Sequence, residues 1–239
     1  DTSHVTDMKE LFVLRGKNNI ICENTIFNDD ISTWNVHYVT NMYAIFYLVT
    51  RFNQPLNTWN VCNVTNMSEM FNGCSSFNQP LDQWNVVNVK NMSDMFNHAS
   101  IFNQSLDTWN VSNVITMKSM FFDAYSFNQP LNDWVVSHLT SMCGMFCGAS
   151  KFNQPLDQWD VSNVTNMASM FAEATDFNQS LNEWNVSNVT DMSHMFSSHM
   201  MKPSTFNQPL NHWNVCRVTD MKGMFQYSSN FNQSLNEWN

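Results

Sequence analysis

Apolar residues recur along the chain in one fixed pattern, in which Phe, Leu, Trp, Val and Met return every 25 residues. With the first Phe of a copy as position 1, the unit reads F-N-Q-[PS]-L-[ND]-x-W-[ND]-V-x-N-V-T-[ND]-M-x-x-M-F-x-x-[AS]-x-x. All nine Trp occupy position 8, and the one wider Trp spacing, 29 residues, separates Trp184 from Trp213. A fixed period is the signature of a repeat protein, so the whole chain is predicted to be one array of stacked units.

The predicted organisation is a single array over residues 1–239. A partial copy over 1–26 contains an insertion at 13–24, whose "NNIIC" stretch is apolar enough to pack on the array, and a second partial copy covers 231–239. Full copies begin at residues 27, 52, 77, 102, 127, 152, 177 and 206.

Two periodicities alternate within the unit. Positions 16, 19, 20 and 23 follow the i, i+3, i+4, i+7 spacing of a short amphipathic helix, and positions 8 and 10 alternate with polar residues, as in a half-buried strand. One strand and one helix cannot bury their own apolar faces, so neighbouring units must stack. The predicted fold is an α/β solenoid, a right-handed coil like a leucine-rich repeat with one short parallel strand and one short helix per 25-residue repeat.

The repeated polar residues and sulfurs are interpreted as structural. Asn at position 2 and Gln at position 3 are predicted to form ladders that satisfy backbone groups at the turns, because identical residues lie above one another in a stack. The Met residues at positions 16 and 19 are predicted to be core, since they share helical spacing with Phe. The six Cys show no zinc or disulfide spacing and are predicted to be reduced.

Composition and charge limit the classes of function that the chain can have. The formal net charge is −10, with Asp+Glu 20 against Lys+Arg 10, and no cluster of basic residues could neutralise phosphates, so nucleic acid is not an expected partner. No apolar run reaches the ~20 residues that span a bilayer. The variable columns hold no catalytic cluster, so the chain is predicted not to be an enzyme and to need no cofactor or metal.

The segment W-[ND]-V-S-N-V-T-N-M-x-x-M-F-x-x-A-x-x-F-N-Q-P-L resembles the BspA-like repeat family, and L-x-x-W-x-V resembles the strand segment of leucine-rich repeats. BspA-like repeats occur in surface proteins and lipoproteins of Mycoplasma and other bacteria, and in protists and large DNA viruses. The resemblance implies a surface or interaction protein at a cell surface, with a virion or cytoplasmic assembly as the alternative. It implies no catalytic residue.

The face of the predicted strands is the first candidate interaction surface. Its position-7 side chains should point outward and become more acidic toward the C-terminus, a strip suited to another protein or to glycans. These residues are Thr58, Gln83, Thr108, Asp133, Gln158, Glu183, His212 and Glu237.

The four-residue insertion behind the 29-residue Trp spacing is the second candidate. It is predicted to form a protruding loop whose exposed Met pair offers a contact. The loop residues are His199, Met200, Met201, Lys202 and Pro203.

Two hypotheses follow. The first is a non-enzymatic repeat scaffold that presents a surface for protein–protein or adhesive contacts. The second is an architectural component of a large particle such as a giant-virus virion, with end-to-end contact between copies or neighbouring chains.

Overall fold

Turns, rather than helices or strands, build the repeated part of this molecule. The computed structural model describes residue 2 and residues 4–238, and its regular secondary structure lies in the insertion near the start of the chain. There β1 (Leu14–Arg15) pairs antiparallel with β2 (Ile21–Cys22), with Leu14 opposite Cys22, and a 3-10 helix spans Lys17–Asn19. No other helix or strand of two or more residues occurs among the described residues.

Each coil is a succession of four-residue turns, every one closed by an N–H that donates to the carbonyl three residues earlier. The turns span positions 5–8, 10–13, 16–19, 18–21, 20–23 and 23 to the next position 1. In the copy that begins at Phe52, Trp59 N–H donates to the Leu56 carbonyl at 2.9 Å and Met70 N–H donates to the Met67 carbonyl at 3.2 Å. In every turn except 18–21, which overlaps its two neighbours, the apolar residues of the repeat are the ends of the turn and the polar residues are its centre.

Turn ends point inward and form one continuous core. In the central copies the Leu, Trp, Val, Met and Phe columns are at most 3% exposed. The two Phe columns stack along the whole array: Phe121 lies 4.0 Å from Phe127, the first residue of the next copy, and 5.7 Å and 5.6 Å from Phe96 and Phe146, its own column in the neighbouring coils. The prediction that the paired Met residues are core is confirmed by their burial.

The predicted helix at positions 16–23 is wrong. Two successive four-residue turns place their ends at positions 16, 19, 20 and 23, which is the same spacing as a helical stripe, so the pattern alone could not separate them. Coil spacing decides the question, because packed helices lie about 8–10 Å apart. Here Phe71 and Phe96, one repeat apart, stack at 5.6 Å. Coils this close have no room for one helix each.

The predicted strand around Trp and Val is also wrong, and so is the coil of one strand and one helix that defined the leucine-rich-repeat solenoid. Trp ends the turn at positions 5–8, and the Val at position 10 of the unit begins the turn at positions 10–13. One turn end followed by the next turn start produces the alternation of apolar and polar residues. The bridges between coils are single parallel pairs at position 15, such as Asn41 with Asn66 and Asn66 with Asn91.

Successive coils are joined where the helix was predicted. The N–H groups at positions 16, 18, 20 and 22 donate to carbonyls of the following coil, while those at 19, 21 and 23 close turns within their own coil. For the coil that contains Phe71, Glu69 N–H donates to the Ser93 carbonyl at 2.9 Å and Phe71 N–H donates to the Met95 carbonyl at 2.9 Å. Alternate amides thus serve the turn and the stack, which gives most buried backbone donors of this segment a partner within the protein.

Positions 18 and 22 adopt the left-handed backbone conformation in almost every coil. Position 18 has positive φ in all nine copies, from Glu10 (55°) to Gly223 (61°), and position 22 has it in seven. Positive φ at the third residue of a turn is the mark of type II geometry and costs a residue with a Cβ about 1–2 kcal/mol. The sequence places four of its five Gly at these two positions and accepts the strain elsewhere.

Replacing a strained position 18 residue with Gly is therefore expected to stabilise the protein. Ser169 has φ of 55° and its side chain makes no hydrogen bond among the described residues. Relief of the left-handed strain, less the chain entropy of Gly, should raise the free energy of unfolding of Ser169→Gly by about 0.5–1 kcal/mol. Denaturant unfolding tests this. The neighbouring Ala168→Gly, where φ is not positive, is the control and should lose about the same amount.

Trp side chains tie the coils together on the side that lacks the backbone ladder. From Trp59 onward, each indole N–H donates to the position-5 carbonyl of the preceding coil, at 2.8–3.1 Å; Trp109 donates to the Leu81 carbonyl at 2.9 Å. A Phe or Leu would fill the same space without this donor. Position 8 therefore requires Trp for its N–H as well as for its volume.

Amides form a second ladder, and the structural interpretation of positions 2 and 3 is confirmed. The Asn103 Oδ1 accepts the Asn128 backbone N–H at 2.9 Å and the Gln129 Nε2 at 3.0 Å, and the same pair of bonds recurs through most of the array. Each carboxamide oxygen thus serves two donors of the next coil. These side chains are committed to the stack and are not available as a row of ligand-binding groups.

The N-terminal insertion is exposed. The prediction that its "NNIIC" stretch packs on the array is wrong, because Ile20 is 62% exposed and Cys22 is exposed as well. No helix of the described residues is long and apolar enough to cross a bilayer.

Candidate functional site

The position-7 residues form an exposed row, although they lie at the centre of a turn and not on a strand. All eight, from Thr58 to Glu237, are exposed. Members from adjacent coils meet side by side: His212 Nδ1 lies 3.0 Å from Glu183 Oε1. Thr58 and Thr108 turn their hydroxyls back to donate to carbonyls of the preceding coil at 2.9 Å and 2.8 Å. The row is a polar surface with shallow concavities, one beside His212 and Glu237 and one beside Asp133 and Gln158.

The 199–203 loop is a tight turn that projects from the array. Lys202 N–H donates to the His199 carbonyl at 2.9 Å, which places Met200 and Met201 at the tip, 68% and 81% exposed. His199 Nδ1 accepts the Met201 N–H, so the Nε2 edge of the ring is the one that remains for other contacts. The structure thus places all five loop residues in an exposed position.

A groove of about 430 Å³ lies beside this loop. Its sides are formed by positions 22 and 24 of three successive coils, and His199 and Lys202 close one end. Position 22 contributes Asp123, Gly148 and Glu173, and position 24 contributes Tyr125, Ser150 and Thr175. The insertion therefore converts a regular edge of the stack into a concave site.

Gly148 gives the groove its depth. It has φ of 71° and carries no side chain between the two acidic residues of its column. A Cβ placed there would lie 2.0 Å from Asp123 Oδ1, so the Asp123 carboxylate occupies the space that a side chain at position 148 would need. The lack of a side chain at Gly148 thus makes room for the carboxylate of Asp123 in the preceding coil.

The groove is acidic and partly shielded from water. Burial raises the pKa of the Asp123 carboxyl above its ordinary value, the charge of Glu173 raises it further, and His98 and the Tyr125 hydroxyl oppose both effects. His98 Nε2 lies 3.6 Å from Asp123 Oδ2. Among residues 2 and 4–238, neither Asp123 nor Glu173 forms a salt bridge with Lys or Arg. Among the described residues, His98 is therefore the basic side chain that pairs with Asp123, and Glu173 has no such partner.

Asp123→Asn is expected to stabilise the protein at neutral pH. A carboxyl whose pKa is raised on folding binds its proton more tightly in the folded state, so its ionisation opposes folding above that pKa and has no effect below the unfolded value of about 3.9. The wild-type deficit relative to Asp123→Asn should therefore shrink as the pH falls toward 4 and disappear below it. Asn tolerates the positive φ of this site. Urea unfolding of both proteins between pH 3 and 8 tests the sign, and a gap that widens in acid would contradict it.

The sulfur chemistry near the groove is inert. Burial, and after it the charges of Asp123 and Glu173, raise the pKa of the Cys147 thiol to about 12, so it stays protonated at neutral pH and is a poor nucleophile. All six cysteines are free thiols, as predicted, and Cys74 is buried. No group of three or more His, Cys, Asp or Glu among the described residues is arranged to hold a metal ion.

Sequence reasoning found the loop but missed the groove. Asp123, Gly148 and Glu173 lie in a variable column, where each looks like an unrelated surface residue. Their common position in successive copies, immediately before the insertion, was the available signal. Reading the variable columns down the array would have placed two carboxylates and a Gly beside His199 and Lys202.

Fold and groove together define a class: a repeat protein in which stacked, turn-built coils carry a local site at a break in the repeat. The chain belongs to the family described as "Mycoplasma protein of unknown function, DUF285", whose model matches residues 1–105, 80–167, 100–203 and 155–239. The overlapping matches cover the whole array. No curated protein and no solved structure matches the chain.

Proposed function

We propose that this chain is a non-enzymatic repeat scaffold that presents surfaces for protein–protein or adhesive contacts. The observation that carries the proposal is that repeated and non-repeated residues have different roles. Repeated Trp, Asn and Gln side chains are used by bonds between coils, whereas the concave groove arises where the 199–203 loop interrupts the array. Variation at a break in an otherwise rigid stack is typical of a recognition surface.

The family supports a repeat scaffold without naming a partner. The resemblance to BspA-like repeats adds, within this proposal, the expectation of a role at a surface. The net charge of −10 favours basic partners, because complementary charge accelerates encounter and suppresses like-charged competitors.

An architectural role in a particle, such as a virion, is the second candidate. One observation favours it: Met221, Phe225, Leu235 and Trp238 line an apolar cavity of about 310 Å³ on the face of the last described coil. A coil of a neighbouring copy stacked on this face would bury that surface. Regular end-to-end contacts between copies, seen in an assembled particle by electron microscopy, would favour this role over the first.

A repeat-restored variant tests the scaffold function. Deletion of residues 199–202 combined with Pro203→Ala rewrites the segment as F-S-S-A-S-T-F, which matches the F-x-x-[AS]-x-x-F of the other copies. A protein captured by the wild-type chain should be purified and titrated against both forms by calorimetry. The proposal expects saturable binding to the wild type and loss of binding to the folded variant. Absence of any saturable protein binding, or a substrate turned over by the purified chain, would contradict it.

A further inference from the structure

The groove beside the 199–203 loop combines two features that call for the same kind of partner. It is a concave site with two carboxylates, Asp123 and Glu173, that no Lys or Arg of the described residues neutralises. Its end wall is a turn whose tip exposes an adjacent pair of Met side chains. We propose that this groove binds the cationic side chain of a partner protein, an Arg or Lys flanked by an apolar residue that packs on Met200 and Met201.

Geometry supports a single inserted side chain. Asp123 and Glu173 lie two coils apart in the same column, and the Asp123 carboxylate lies over Gly148, the intervening residue, which has no side chain of its own. A guanidinium or ammonium group placed between this carboxylate and that of Glu173 would have one negative charge on each side. A planar guanidinium also offers donors in several directions, as such a flanked position requires.

Electrostatics favour a cation over a neutral ligand. Burial and the charge of Glu173 disfavour ionised Asp123, and His98 offsets them only in part, because the pKa of the Asp123 carboxyl is raised on balance. A bound cation beside Asp123 and Glu173 would relieve the repulsion that remains. A neutral sugar would leave that repulsion in place. Tyr125 borders the same site and provides a ring on which a guanidinium can stack.

The positive charge of Lys202 distinguishes this proposal from a general polar pocket, because its removal and the removal of a carboxylate should change affinity in opposite directions. Lys202 is exposed and lines the end of the groove, and its ammonium pairs with neither carboxylate. A second cation in the groove would be repelled by it. Loss of the Lys202 charge should therefore strengthen cation binding, whereas loss of either carboxylate should weaken it.

The Met pair accounts for the apolar part of the partner. Met200 and Met201 are exposed far beyond what core side chains of this array allow, and thioether side chains adapt their shape to varied apolar surfaces. They form the centre of the turn whose two ends, His199 and Lys202, line the groove. A basic residue in the groove would bring its neighbours in sequence against this tip.

The test uses a capped Leu-Arg-Leu peptide amide and its citrulline analogue, which keeps the shape of Arg and removes its charge. Binding to the full chain is followed by amide chemical shifts of Gly148, Ser150 and Thr175. Saturable shifts are expected with the Arg peptide and not with the citrulline peptide. Asp123→Asn and Glu173→Gln should each weaken binding about 2–5-fold, and Lys202→Gln should strengthen it by a similar factor, as for partly exposed charge pairs. Glu23→Gln, an exposed carboxylate in the N-terminal insertion and outside both candidate surfaces, is the matched control and should leave affinity unchanged.

Equal binding of the two peptides, no saturable shifts at these amides, or weaker binding by Lys202→Gln would overturn the assignment. The proposal rests on the scaffold function, but the two fail separately. If a captured protein still binds the wild-type chain and is indifferent to Asp123→Asn and Glu173→Gln, the scaffold function stands and the groove is not its cation site.

Discussion

Phe121→Ala is expected to lower the free energy of unfolding by about 3–5 kcal/mol, the usual cost of removing a fully buried Phe. Phe121 has no exposed surface and stacks on Phe127 at 4.0 Å, with Phe96 and Phe146 on either side. Coils held together by backbone and side-chain bonds at this spacing cannot collapse into the cavity. Guanidinium unfolding followed by circular dichroism measures the loss.

The adjacent Phe122 is the matched control for this prediction. It is the one Phe outside the two repeated columns, and it is partly exposed beside His98, with ring centroids 5.7 Å apart. Phe122→Ala should cost about 1 kcal/mol or less, as for other partly exposed positions. Similar losses from the two substitutions would show that position 20 is not the inward end of a turn.

Trp109→Phe is expected to cost about 2–4 kcal/mol, from the smaller ring and from the Leu81 carbonyl that loses its indole donor. Trp109 is 3% exposed and its Nε1 lies 2.9 Å from that carbonyl. The substitution therefore removes a hydrogen bond between two repeats as well as part of the buried ring volume. Denaturant unfolding and amide hydrogen exchange in the coils on both sides would locate the damage.

Trp34→Phe provides the comparison. Trp34 is only partly buried, and its indole has no hydrogen-bond partner among the described residues, so it should lose well under half as much stability. Equal costs at Trp34 and Trp109 would mean that Trp serves position 8 by volume alone.

The composition of the core could be read from the sequence because burial depends on which residues repeat, not on the backbone that presents them. Phe121, Met120 and Trp109 are buried whether a turn or a helix holds them. The amide ladder was also accessible, because stacking alone places Asn103 beside Asn128. What could not be read was the hydrogen-bond partner of each amide. A helix and a chain of type II turns give the same apolar spacing at positions 16, 19, 20 and 23.

The groove was hidden for a different reason. Asp123, Gly148 and Glu173 each look ordinary in their own copies, and they meet only because the coils stack in register. The exposed loop was predicted from a change in repeat length, a signal along the chain. Which residues lie beside the loop depends on how the coils stack. That the Asp123 carboxylate fills the space of a missing side chain at Gly148 cannot be inferred from either residue alone.

The most direct test of this fold is the acceptor of the Phe121 amide. In the structure Phe121 N–H donates to the carbonyl of Met145 in the next coil, at 2.9 Å. In the helix suggested by the sequence pattern it would donate to the carbonyl of Met117, four residues earlier. Scalar coupling across the hydrogen bond, measured by NMR on the deuterated protein, identifies the partner. A coupling from Phe121 nitrogen to the Met145 carbonyl carbon is the predicted result, and a coupling to Met117 would contradict the turn-built stack.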